Sequence, residues 1–164
     1  VMEALVSWHL AYVLSTETKQ KTSKKGYSSK KYLYDTGVMN FLINHLFPVS
    51  LKNSSPFIAQ LFENSVMQNL IVELKSTRNI FSYKMNNKIK NELDFVAVFD
   101  KTIIPVEVKM SATINQKSIT QLVGYLKESG LRKGFVIYTG LPQLKLIDGF
   151  SLFYLPPYYL PFNL

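Results

Sequence analysis

The chain has 164 residues and a formal net charge of +8, enough for one sizeable core or two small ones and basic enough to favour anionic partners, nucleic acid foremost. It has no cysteine, which excludes disulfides and thiolate metal sites and fits a reducing, cytoplasmic compartment. Neither end carries a signal-peptide pattern, and Pro156, Pro157 and Pro161 break the apolar C-terminal stretch, so no membrane span is expected.

Val1 to Leu10 read as the end of an amphipathic helix already under way, which points to a piece of a longer protein, and Leu10 to Leu14 as a short strand. Ser15 to Lys31 is polar and lysine-rich, with Lys19, Lys21, Lys24, Lys25, Lys30 and Lys31 against the single acid Glu17, and reads as a mobile loop before a strand over Lys31 to Tyr34. Helix, strand, basic loop and strand look like the tail of a winged helix. Its wing lysines would contact phosphates without reading sequence, the alternative being a solvated loop. Asp35 and Thr36 cap a helix from Gly37 to Phe47, stopped by Pro48. The polar linker from Ser50 to Pro56 places a domain boundary near residue 48, dividing the chain into 1–48 and 49–164.

The longest periodic segment is a helix over Phe57 to Lys75. Glu63 lies within its apolar arc beside Val66, Met67, Leu70 and Leu74, an unusual place for an acid that lacks a partner. It either serves a site or sits at the edge of the stripe paired with a lysine. Ile80 to Lys84 forms a strand, and Met85 to Asn91 a basic turn whose Lys88 and Lys90 are further candidates for phosphate contact.

Two apolar-rich runs follow within Asn91 to Lys109, joined by a break at Asp100, Lys101 and Thr102 that lacks a glycine yet is short enough for a hairpin. Alternation puts Glu107 and Lys109 on one face, and Glu92, Asp94, Val96 and Val98 together on one face of the first run. Pairing brings Asp94 near Glu107. Two adjacent carboxylates repel unless a cation or proton intervenes, and Mg²⁺ or Mn²⁺ suits them, because such an ion takes one or two carboxylates and keeps waters and phosphate oxygens. Lys109 would orient a water or neutralise charge on a phosphate. Glu92 either assists or is solvated, and the whole pattern also suits a solvated strand face.

A polar stretch then leads to a helix over Lys117 to Ser129, closed by Gly130, with Gln121 and Tyr125 on one face. Lys133 to Thr139 suits an interior strand. Leu144 to Leu164 reads as a short strand and a proline- and tyrosine-rich tail, whose Tyr154, Tyr158 and Tyr159 either stack on bases or a partner protein or pack on their own domain. His9 and His45 read as structural.

Asp94 followed thirteen positions later by Glu107-Val108-Lys109 resembles the PD-(D/E)xK restriction-endonuclease-like superfamily, although Leu93 stands where a proline is usual. Gln121 and Tyr125 resemble the Q-x-x-x-Y element of its RecB-like branch. The resemblance implies an α/β fold with an αβββαβ core from Phe57 onward, and Glu63 as the first-helix glutamate facing the metal. Asp94, Glu107 and Glu63 would then be metal ligands, and Lys109, Gln121 and Tyr125 further site residues. The segments KKYLYDTGVMNFL, FIAQLFENSVMQNLI, NELDFVAV, IPVEVKMS and LPPYYL resemble, in this order, the C-terminal domain of unknown function of bacterial and archaeal AAA+ ATPases. That resemblance implies an upstream ATPase in the parent protein, since no G-x-x-x-x-G-K-[ST] occurs here and this chain has no ATP site. It leaves open a DNA nuclease or a non-catalytic DNA- or protein-binding effector module.

Overall fold

The computed structural model describes residues 2–18, 29–46, 55–76, 78–84 and 92–159. Its elements run α1 (Met2–Ser7), β1 (Ala11–Leu14), β2 (Thr16–Thr18), β3 (Lys30–Leu33), α2 (Thr36–Leu46), α3 (Ser55–Leu74), β4 (Ile80–Lys84), β5 (Glu92–Phe99), β6 (Thr102–Lys109), α4 (Thr120–Ser129), β7 (Lys133–Tyr138), β8 (Gln143–Ile147) and β9 (Phe150–Leu155). From α3 to β7 the order is helix, three strands, helix, strand, as the periodicities predict.

β4, β5 and β6 form an antiparallel meander, and β7 joins β6 in parallel after the crossover through α4. The sheet continues through β9, parallel to β7, to β8 at one edge, with β2 beside β4 at the other, giving the order β2-β4-β5-β6-β7-β9-β8. β1 and β3 pair separately as an antiparallel ribbon. The β5–β6 turn manages without glycine because Asp100 and Lys101 both take positive φ, 44° and 69°, as a two-residue type I′ turn requires.

The sheet has an apolar cluster on each face. Val66, Met67 and Leu70 of α3 pack with Phe95, Ala97, Val106, Phe135 and Ile137, and Tyr12, Leu14 and Tyr32 of the N-terminal segment join that same cluster. On the opposite face Leu122, Val123, Tyr125 and Leu126 of α4 pack with Leu93, Val96, Val136, Leu152 and Tyr154. α4 ends at Gly130, whose φ of 75° and N–H bond to the Leu126 carbonyl make it the expected C-terminal cap.

Two expectations change. The stretch read as a loop before β3 contains β2, whose β-branched Thr16 bonds Ser82 side chain to side chain at 2.8 Å while Ser82 N–H donates to the Ser15 carbonyl. The C-terminal part holds two strands where one was expected: Asp148 and Gly149, at φ 52° and 80°, turn β8 back into β9, and residues 160–164 of the expected tail lie outside the described residues. Tyr154 is accordingly buried in the core and unable to stack on a base, whereas Tyr158 and Tyr159 are exposed. His45 bonds the Phe41 carbonyl within α2 and stacks on its ring. No described helix is long and apolar enough to cross a membrane.

Candidate functional site

The site forms where β5 parts from its neighbours. Phe81 pairs with Val96 and Tyr83 with Leu93, two steps along β4 against three along β5, so β5 carries a one-residue bulge. Leu93 and Val96 face α4 while Phe95 and Ala97 face α3, and the extra residue that reconciles these faces is Asp94. This corrects the simple alternation, which grouped Asp94 with Val96. The ladder between β5 and β6 runs only as far as Phe95 and Val106. Beyond it, the Asp94 carboxylate takes the place of a strand partner, its Oδ2 accepting the Val108 N–H at 2.9 Å. Asp94 therefore lies in the fork of the sheet, between the Val108 N–H and Lys30.

From the α3 side, Lys30 of β3 donates to Asp94 Oδ1 at 2.8 Å and to Glu63 Oε1 at 3.0 Å. Tyr32, two residues along and on the same face of β3, donates its hydroxyl to the same Glu63 oxygen at 2.6 Å. Glu63 is thus the acid with a lysine partner that the helix pattern allowed, and it shares that lysine with Asp94. Asn64, next to it and 1% exposed, accepts from the Leu33 N–H and donates to the Leu33 carbonyl, which also receives Gln68. α3 thereby holds β3 as a neighbouring strand would. A cavity of about 300 Å³ opens beside the cluster, lined by Lys30, Lys31, Tyr32, Met39, Gln60 and Glu63 among others.

On β6, Val106 and Val108 belong to the α3-side cluster, so Glu107 and Lys109 point to the face that α4 covers. Glu107 is 2% exposed, accepts from Lys109 Nζ at 2.5 Å through Oε1, and has no hydrogen-bond partner at Oε2. Burial, reinforced by the negative charge of Asp94 and opposed by Lys109 and Lys30, pushes its carboxyl up to about 8. Burial would lower the pKa of the Lys30 ammonium, but Asp94 and Glu63 outweigh it and hold the group above the usual lysine range. Lys109 is likewise raised, with Glu107 and Asp94 overcoming burial. Burial and then Glu63 push the Tyr32 phenol far up, keeping it a donor. Glu63, Asp94, Glu107, Lys30 and Lys109 form one electrostatic unit.

Other candidate residues lie elsewhere. Glu92 pairs with Lys84 at 3.4 Å, a structural ion pair in place of a further acid at the centre. α4 lies on the face of Glu107 and Lys109, but Tyr125 packs edge-on against Tyr83 at 4.8 Å. Its phenol, raised to about 12 by burial, feels Tyr83, Glu17 and Glu128. Gln121, one helical turn before it, is partly buried. Lys19, Lys21, Lys24, Lys25, Lys88 and Lys90 lie outside the described residues.

Chemically, the centre offers hard oxygen donors, one of them buried and unpartnered, beside two ammoniums. Among the described residues, no three carboxylate or imidazole groups stand together as a ready metal cage. The family profile described as a domain of unknown function, DUF4143, matches residues 59–158. Glu63, Asp94, Glu107 and Lys109 fall within the match, and Lys30 and Tyr32 before it. No curated protein matches the chain.

Proposed function

The chain belongs to the DUF4143 family, whose description assigns no activity, and from its site we propose a divalent-cation-dependent nuclease domain that hydrolyses DNA phosphodiester bonds. The observation that carries this reading is Asp94 in the fork of the sheet beside buried Glu107, with Lys109 on the same strand face as Glu107. The element order from α3 to β7 supports placing the fold with the PD-(D/E)xK endonucleases, and the β1–β3 ribbon supports a winged-helix tail before it.

A pair of neighbouring carboxylates suits Mg²⁺ or Mn²⁺, and Glu107 Oε2, buried and without a hydrogen-bond partner, is the donor best placed to take the cation. Asp94 and Glu107 would hold the ion. When bound, it supplies charge neutralisation at the phosphoryl oxygens and a more acidic water. Glu63 is an outer carboxylate, its Oε1 already taken by Lys30 and Tyr32. Lys109 orients the attacking water and stabilises negative charge as it develops on the phosphate. Gln121, on the helix over that face, orients the substrate, and Tyr125 positions the helix through Tyr83. The basic charge of the chain fits DNA as partner, and an upstream AAA+ ATPase in a cytoplasmic parent protein fits the resemblance of the ordered segments.

A second reading, a non-catalytic DNA- or protein-binding effector module, is favoured by one observation: two ammoniums already neutralise most of the carboxylate charge. Cleavage of labelled single-stranded, duplex and branched DNA with Mg²⁺ and with Mn²⁺ separates the two. Cutting that needs the metal and disappears in Lys109→Ala supports the nuclease. A folded protein that binds metal and DNA yet cuts nothing, alone or in its full-length parent with ATP, supports the effector.

A further inference from the structure

Both oxygens of Asp94 are engaged: Oδ2 by the Val108 N–H and Oδ1 by Lys30. The first donor belongs to the backbone of a core strand, whose flanking Val106 and Val108 are buried, and it cannot leave without breaking the sheet. The second is the end of a flexible side chain. A divalent ion on Oδ1 with Lys30 in place would lie against an ammonium, and like charges at such range in a partly buried site repel strongly. Among the described residues Lys30 and Lys109 offset two of the three carboxylates Glu63, Asp94 and Glu107, so while Lys30 stays the centre keeps little charge to draw in a dication. The Lys30 ammonium also has somewhere to go, because the cavity of about 300 Å³ between β3, α2 and α3 adjoins it.

We infer that Lys30 is an internal counter-ion that competes with the divalent cation for Asp94, so that loading the centre requires this side chain to swing off the carboxylate. The inference rests on the metal site of the proposed function and deepens it: the ribbon strand β3, outside the core meander, sets how readily the centre accepts a cation. Lys31, the next residue, is exposed and makes no ion pair among the described residues, which makes it a charge-matched control.

Calorimetric titration of MnCl₂ into the whole chain tests this, comparing the unaltered protein with Lys30→Met, Lys31→Met and Asp94→Ala, each checked for folding by circular dichroism. Lys30→Met should bind Mn²⁺ at least tenfold more tightly, Lys31→Met within about threefold of the parent, and Asp94→Ala not at all. Equal or weaker binding by folded Lys30→Met, or an equal gain in Lys31→Met, overturns the inference and leaves the metal site standing. Absence of Mn²⁺ binding in every protein overturns both. Should Lys30→Met not fold, the unaltered protein with ¹³C-labelled lysines answers the question: Mg²⁺ should move the Lys30 Cε resonance toward that of a solvated lysine. A resonance unmoved at saturating Mg²⁺ overturns the competition.

Discussion

The clasp of Asn64 on Leu33 can be tested quantitatively. Leu33 turns its N–H and carbonyl away from β1, and the Asn64 carboxamide meets both, at 3.0 and 3.1 Å. Replacing Asn64 by leucine keeps the branched skeleton of the side chain and removes both bonds. The Leu33 carbonyl keeps Gln68 Nε2 at 3.1 Å, so its loss is one ordinary bond, about 0.5–1.5 kcal/mol. The Leu33 N–H loses its acceptor in a part-buried place, about 1–3 kcal/mol. Together Asn64→Leu should destabilise by about 1.5–4.5 kcal/mol, whereas Gln68→Ala should cost about 1 kcal/mol because Asn64 still satisfies the carbonyl. Urea unfolding followed by circular dichroism measures both. A loss below about 0.5 kcal/mol for Asn64→Leu, the range of a neutral surface change, would refute the idea that α3 substitutes for a strand, and equal losses in the two variants would refute the division of labour.

Glu107 makes stability depend on pH. Its folded-state pKa is raised to about 8 by burial and Asp94, so the folded protein holds a proton that the unfolded chain releases near the ordinary glutamate value. The stabilisation is complete below that value and is lost as pH rises through about 8. Without divalent metal, the melting temperature should fall between about pH 5 and 8.5, and Glu107→Gln should flatten the decline; an identical slope in the variant refutes the assignment. Gly140 lies close under Tyr138, and a Cβ there would come within 2.6 Å of the Ala112 carbonyl oxygen. Gly140→Ala should therefore destabilise by about 1–3 kcal/mol in urea unfolding, and a neutral outcome would show that the 111–113 turn gives way freely.

The sequence was most informative where side-chain period and chemistry agreed. Glu107 and Lys109 are legible because alternation places two charges on one face of an otherwise apolar strand, and Glu63 because an acid interrupts a helical stripe. Asp94 was legible as a member of the cluster but not in its orientation, since no glycine marks the β5 bulge and one extra residue inverts every later face. Lys30 was hidden by its company. In a run of lysines nothing distinguishes the one that turns inward, although Tyr32 at the same strand parity signals a buried face. β8 and β9 were signalled by Asp148-Gly149 between alternating apolar residues, a hairpin mark outweighed by the prolines that follow. β2, three residues long, is defined by its partner β4 and has no local pattern strong enough to announce it.

The parallel seating of β2 on β4 bears on how the molecule assembles. Thr16 and Ser82 meet across 66 positions of chain, whereas β5 and β6 close around a two-residue turn. Loop-closure entropy favours the near pairing first, so the central meander becomes a template on which the N-terminal strands land late. The acidic fork is then the last part to be finished, when β3 arrives with Lys30. Until that moment the carboxylates lack the Lys30 ammonium, so at the proposed metal site a dication present during refolding would compete with Lys30 for Asp94 at this final docking step.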